Sequence, residues 1–389
     1  MARSNSALKI KKSRQQTIRE SFRKRKLSAL FGAAMALPGL GLTSSAVAQT
    51  VAEAPEMKIS YSEYRERQAG GDDRMRVHTP IAWVRTPIGE KSELEGSFSL
   101  DTMGGASSYY LGSLTGASGY GVTDYRKTVD AKLTHIFDGY SVGVGGNYSD
   151  ENDYTSKGIA VDSKIWTPDK NTTLAYGISS HWDEIGLHTD KSFSKARKTQ
   201  NYFVGVTQVL DADSIIESNL SYTAADGYQE DPYKPLDNRP GNRGQWAWLT
   251  RYNVYFEDLG GALHSDYRYY QDTFGISSNM VEFQWFQPVG SSWIIRPNLR
   301  YYTQSRAEFF TGAFPPDPDT FYSGDQRMGD FGSITTGIKF VKDLGDGLSA
   351  DLNFQFVQQR PSLKLGSSIV SGLEPFYEYF VMVGLAKKF

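Results

Sequence analysis

The chain has no cysteine, which excludes disulfides, thiol nucleophiles and zinc–thiolate sites together. It also lacks a histidine metal signature: His78, His135, His181, His188 and His264 show neither an HExxH motif nor paired ligand spacing. No apolar run is long enough to cross a membrane as a helix, since the uncharged stretch Leu27–Leu42 falls short of ~20 residues and contains Pro38. Apolar residues make up only 39 % of the chain, against ~45–50 % in soluble domains, so a large buried core is not expected. Aromatic content is nevertheless 13 %, too high for a disordered polymer. Scarce apolar residues beside plentiful aromatic ones suit a protein that is greasy on its outside only. Membrane barrels have this composition, with aromatic girdles at both interfaces and a wet interior.

The first 48 residues differ from the rest. Ten basic side chains, from Arg3 to Lys26, stand against one acid, Glu20; the uncharged run follows, and then Ala46-Val47-Ala48 before Gln49. A basic segment, an apolar segment and a small-residue cleavage site in this order predict a secretory signal peptide, 1–48, ahead of a barrel over 49–389. No paired arginines point to the twin-arginine route. Removing the segment shifts the net charge from −2 to about −11, which argues against nucleic-acid binding.

Beyond it, stretches of about ten residues alternate apolar and polar, the period of a strand whose two faces meet different solvents. Tyr140, Val142, Val144 and Tyr148 alternate with Ser141, Gly143, Gly145 and Asn147. Leu348, Leu352, Phe354 and Phe356 alternate with Ser349, Asp351, Asn353 and Gln355. The pattern predicts strands over 57–65, 75–86, 91–103, 123–137, 140–150, 154–167, 171–184, 198–211, 214–226, 246–258, 261–273, 276–288, 291–305, 329–343, 347–360 and 376–389. Every second connection carries tight-turn chemistry, such as Asp138-Gly139, Pro168-Asp169-Lys170 and Leu344-Gly345-Asp346-Gly347. The intervening connections are mostly long, notably 104–122, 185–197, 227–245, 306–328 and 361–375. The expectation is an all-β, transmembrane, antiparallel up-and-down barrel of about 16 strands, with short periplasmic turns and long extracellular loops. Closure is required, because hydrocarbon offers no partner to an unpaired strand edge. The last strand ends on Phe389 with Tyr377, Tyr379, Val381, Val383 and Leu385 on one face, so Phe389 is expected to serve as the outer-membrane targeting residue read by the barrel-assembly machinery.

Five ordered motifs, Asp101–Ser107, Ser149–Tyr154, Asp226–Lys234, Tyr267–Asp272 and Leu299–Gln304, resemble the bacterial domain-of-unknown-function family numbered 3570. The likeness spans roughly 57–389. It implies an outer-membrane barrel without an established activity; Gly104 stands where the family is expected to carry serine.

By alternation, Arg251, Glu257, Asp266, Arg268, Asp272, Glu282, Gln284, Arg296, Arg300 and Gln304 are expected to point inward. They form either a charge-selecting constriction or an internal salt-bridge lattice that stiffens the wall. Asp150, Glu151 and Asp153 make an acidic turn that is only a weak candidate for metal binding, since the calcium-loop spacing is missing. Ser179, His181 and Asp183 share a strand face, but no oxyanion or nucleophile motif accompanies them, so no enzyme is expected. Trp246, Trp248, Tyr252 and Phe256, with Trp293, Tyr301 and Phe286 nearby, read as an interfacial girdle. No motif calls for a cofactor. The expected role is a porin-like channel for small polar solutes in a Gram-negative outer membrane, with outer-membrane lipid as its surroundings; the alternative is a plugged barrel that scaffolds a periplasmic or surface partner.

Overall fold

The computed structural model describes residues 50–68, 73–105, 123–188, 190–233, 237–311, 317, 320–366 and 375–389. The segment 1–48, the loop part of the Asp101–Ser107 motif and Lys234 lie outside them.

Sixteen strands close into one ring. They are β1 (Glu56–Gln68), β2 (Asp73–Ile88), β3 (Ser92–Gly105), β4 (Thr123–Ile136), β5 (Tyr140–Asp150), β6 (Tyr154–Trp166), β7 (Thr172–Gly186), β8 (Ser194–Val209), β9 (Ser214–Gly227), β10 (Asn242–Phe256), β11 (Gly261–Asp272), β12 (Ser277–Val289), β13 (Trp293–Gln304), β14 (Phe331–Gly345), β15 (Leu348–Arg360) and β16 (Phe376–Lys388). Each pairs antiparallel with its neighbours in sequence, and β1 closes on β16 with Ser60 opposite Gly384. No edge strand is left open, as a hydrocarbon surrounding demands.

The start of β1 and the end of β16 lie at one end of the barrel, here the near end. Its connections are 89–91, 137–139, 167–171, 210–213, 257–260, 290–292 and 346–347. The far-end connections are 69–72, 106–122, 151–153, 187–193, 228–241, 273–276, 305–330 and 361–375. At the near end Gly139 adopts φ 84°, a left-handed conformation that a side chain would disfavour, which is why Asp-Gly serves this turn.

Alternation sorts side chains between two environments. Outward residues are apolar and exposed: Val144 is 55 % exposed and Ile159 59 %. Inward residues are polar and shielded: Asp162 is 5 % exposed and Ser179 3 %. A soluble protein has the reverse arrangement. Ion pairs join strands along the inner wall. Lys132 of β4 reaches Asp162 of β6 at 2.6 Å, passing over β5. Gly143 makes this crossing possible, since a Cβ there would sit 2.6 Å from the Lys132 Cε and 2.8 Å from an Asp162 oxygen.

Prolines are placed where the ladder can lose a donor. Pro80 faces outward on β2, and the β2–β3 pairing skips from His78 to Ile81 there. Pro297 does the same on β13, where pairing with β12 skips from Asn298 to Ile295.

Three expectations need correction. The eighth and tenth strands begin at Ser194 and Asn242, four residues before the predicted starts, because inward Arg197 and Arg243 extend the strands past the apolar stretch and bind Asp183 and Asp272. Glu257 does not face the interior; β10 ends at Phe256 and Glu257 lies in the exposed near-end turn. Phe286 is not part of a girdle. It faces inward, 1 % exposed, because its strand alternates in phase with Glu282 and Gln284.

Candidate functional site

The inward wall of β10 to β14 is built in rows by the strand register. One row runs Glu217, Arg251, Asp266, Glu282, Arg300 and Thr335 across β9 to β14. Its charges alternate in pairs: Arg251 lies 3.2 Å from Asp266 and 3.7 Å from Glu217, and Arg300 lies 2.8 Å from Glu282. Glu282 also accepts from Gln284 and Asn298, at 3.0 and 3.3 Å, so its carboxylate is saturated. The next row toward the far end is Leu249, Arg268, Met280 and Tyr302. Toward the near end, Arg296 and His264 lie on opposite sides of Phe286 in sequence register. The Arg296 guanidinium is 4.4 Å from the ring and the His264 ring stacks on it at 4.1 Å. A cation over an aromatic face, away from bulk water, is held by the ring quadrupole.

Asp272 and Gln304 sit at the far end of this wall, and both anchor loops. Asp272 accepts from Arg243 at 3.0 Å and from the backbone N–H groups of Phe274 and Ile276, each at 3.0 Å. Those bonds shape the 273–276 turn. The Gln304 amide donates to the carbonyls of Arg327 and Gly329 at 3.1 and 2.6 Å, drawing residues 327–329 onto the inward face. An apolar cluster of Phe274, Ile276, Ala307, Phe310 and Met328 packs there, with Tyr270 against it.

This connection is tied to 228–241 by a second, charged layer. Asn238 and Tyr322 exchange backbone hydrogen bonds of 2.9 and 2.8 Å. Asp325 has no exposed surface, and it accepts from Arg239 at 3.0 Å and from Arg327 at 2.9 Å. Arg239 also holds Asp237 at 2.8 Å, and Arg327 reaches Asp231 at 3.1 Å. Burial works against the Arg327 charge, but Asp325 beside it wins and holds the guanidinium above its ordinary range. Nothing in the local pattern of the sequence announces this lock, because its members come from separate loops.

Asp150, Glu151 and Asp153 do not converge. Asp150 accepts from Thr155 at 3.0 Å, Glu151 faces Arg126 at 3.4 Å, and Asp153 accepts from the Tyr233 hydroxyl. Among the described residues no group of three or more His, Asp or Glu is placed to hold a metal ion. Ser179 and His181 are 3.4 Å apart, while Asp183 is bound to Ser156 and Arg197, at 2.8 Å each. Phe389 is 70 % exposed, and its N–H bonds the carbonyl of Pro55 at 3.0 Å.

A closed ring with an apolar outer belt and an ionic inner wall defines an up-and-down β-barrel of the outer-membrane type. The sequence matches the family described as "Protein of unknown function (DUF3570)" over 27–118, 117–194 and 186–373, and the chain belongs to that family. No curated protein matches it. A bacterial polysaccharide outer membrane secretin superposes with a TM-score of 0.51 at 10 % identity, over 87 % of this chain and 99 % of its own. CdiB from Acinetobacter baumannii gives 0.49 at 7 % identity, over 84 % and 60 %. OpdK from Pseudomonas aeruginosa, solved with vanillate, gives 0.46 at 8 % identity, over 88 % and 100 %. The first of these likenesses speaks to the barrel fold alone.

Proposed function

We propose that the protein is an outer-membrane channel for small polar solutes, with its far-end mouth narrowed by the locked loops. The carrying observation is the inversion of polarity across a closed ring: apolar side chains outside, ion pairs within. Sixteen strands suit an aqueous passage. On this reading residues 1–48 direct secretory export, the barrel-assembly machinery engages the strand ending at Phe389, and the protein resides in a Gram-negative outer membrane. The far end then faces outward, in keeping with its connections of up to 26 residues at 305–330. The chain does no covalent chemistry in this role and needs no metal or cofactor. Purified protein in a planar bilayer should give stepwise conductance; none above background, with the loops intact and with 305–330 loosened by Gln304→Ala, would discard the channel.

The loop lock favours a second reading, a plugged barrel that holds a surface or periplasmic partner. Buried Asp325 holds both Arg239 and Arg327, which gives the lid a fixed shape, as a docking surface requires. Recovery of the barrel without companions from native membranes under mild detergent would count against it.

A further inference from the structure

The inward arginines fall into two groups. Arg85, Arg126, Arg197, Arg243, Arg251 and Arg300 each have a carboxylate within ion-pair distance. Arg268 has none among the described residues, nor any hydrogen bond. Its possible partners are engaged elsewhere: Asp266, two residues along β11, holds Arg251, and Asp272 holds Arg243. A guanidinium is charged at every physiological pH and has five donors in a planar fork. Leaving one uncompensated on a shielded wall costs free energy unless something in the passage pairs with it.

The surroundings of Arg268 narrow what that is. Register places Leu249 and Met280 beside it on the two neighbouring strands, with Tyr302 one strand further. Tyr270 follows it on the same face of β11. The tyrosine hydroxyls are already occupied, Tyr302 donating to Gln304 at 2.7 Å and Tyr270 to Asp272 at 2.7 Å. They therefore present ring surface rather than free donors. Leu249 is buried and Met280 half-buried. One free fork-shaped cation framed by aliphatic and aromatic side chains matches an anion with a planar head and an apolar body.

Arg296, the other inward arginine without an ion pair among the described residues, is different. Phe286 covers its guanidinium, so the ring quadrupole offsets part of its charge. Arg268 has no such cover. It also lies directly beneath the loop assembly, one residue pair from Tyr270, which packs on the apolar cluster of Phe274 and Phe310. Among the described residues it is the first inward arginine without an ion pair that a solute meets on the β10–β13 wall, since Arg243 nearer the mouth is held by Asp272.

We infer that Arg268, framed by Leu249, Met280, Tyr270 and Tyr302, is a binding site for a small organic carboxylate with an apolar group. The inference deepens the channel reading, naming the solute class, and it is tested separately from conduction. Benzoate is titrated into the detergent-purified full chain by calorimetry, beside Arg268→Gln and the outward-facing control Arg65→Gln. Arg268→Gln breaks no ion pair, and heat-modifiable gel migration checks its fold. Wild type and the control should bind benzoate alike, and Arg268→Gln about tenfold or more weakly, the range for a lost charge-assisted pair. On wild type alone, benzylamine, the cation of similar shape, should not compete. Equal benzoate binding by Arg268→Gln, no benzoate binding by wild type, or competition by benzylamine would each overturn the site. Absent conductance with Arg268-dependent binding would sink the channel and leave the site; conductance with no benzoate binding would do the opposite.

Discussion

Arg239 donates a hydrogen bond of 3.0 Å to Asp325 across 86 residues of sequence, with both side chains almost wholly buried. The pair joins two loops at the far end, beside the Arg327–Asp231 pair and the Asn238–Tyr322 backbone bonds. Asp325 neutralises Arg239 and Arg327 together, so it cannot be removed without stranding charge.

Asp325→Asn should therefore loosen the lid while leaving the ring closed. Breaking a buried pair on one side costs ~3–5 kcal/mol locally. Hydrogen exchange should quicken at 237–241 and 320–330, with heat-modifiable migration unchanged. Unchanged exchange would mean that the apolar cluster, not the ionic layer, holds the loops.

Glu230 gives the same loops a pH dependence. Burial is the main cause that raises its carboxyl above the ordinary glutamate range; a hydrogen bond from Tyr228 opposes the shift and the Asp237 charge adds to it. A raised value in the folded state means stability present below the unfolded value and lost as pH rises through the folded one. Exchange at 228–233 should be better protected at about pH 5 than at about pH 8, after correction for intrinsic rates. Glu230→Gln should remove the difference; persistence of it in that variant would assign the effect elsewhere.

The wall pair Arg300–Glu282 offers a test of the ionic lattice. Glu282 is 5 % exposed, so Arg300→Gln strands its charge. The loss should be about 3 kcal/mol, at the low end for buried pairs because Arg300 itself is a third exposed. Adding Glu282→Gln should recover part of it. A double variant no better than Arg300→Gln alone, in urea unfolding from vesicles, would contradict the stranding of the Glu282 charge.

Outward and inward faces should differ sharply in their tolerance of charge. Val144→Arg, near the middle of β5 and facing out, should cost about 2–4 kcal/mol in the same unfolding assay. Ser97→Arg, facing in beside Asp130, should change stability by about 0.5 kcal/mol or less. Equal costs would contradict the assignment of faces.

Much of this architecture is legible from periodicity. β5 and β15 alternate cleanly because each side meets one solvent along its whole length, and both were predicted within a residue of their observed ends. Periodicity fails where a strand leaves the apolar layer. β8 and β10 continue through Ser194–Arg197 and Asn242–Gln245, where outward residues need not be apolar, so their starts are hidden. Phe286 misleads for a related reason: an aromatic residue suggests the outer belt, yet here it serves as the ring between Arg296 and His264. Alternation gives the faces of β10 to β13, but neither their register nor which arginine is paired. That depends on cross-strand distances such as Arg251 to Asp266, and on Arg243 reaching Asp272, which one strand's sequence does not contain. The Asp231–Asp325 lock is likewise invisible, being built between loops with no period of their own.

Because the chain has no cysteine, single cysteines introduced along β15 give the most direct test of the whole account. Spin labels at 352 to 357, in the protein reconstituted into vesicles, report access to oxygen dissolved in lipid and to a water-soluble nickel complex. Labels replacing Leu352, Phe354 and Phe356 should respond to oxygen, and those replacing Asn353, Gln355 and Val357 to nickel. A response without this two-residue rhythm, or with the two series reversed, would contradict a membrane-spanning barrel with a wet interior.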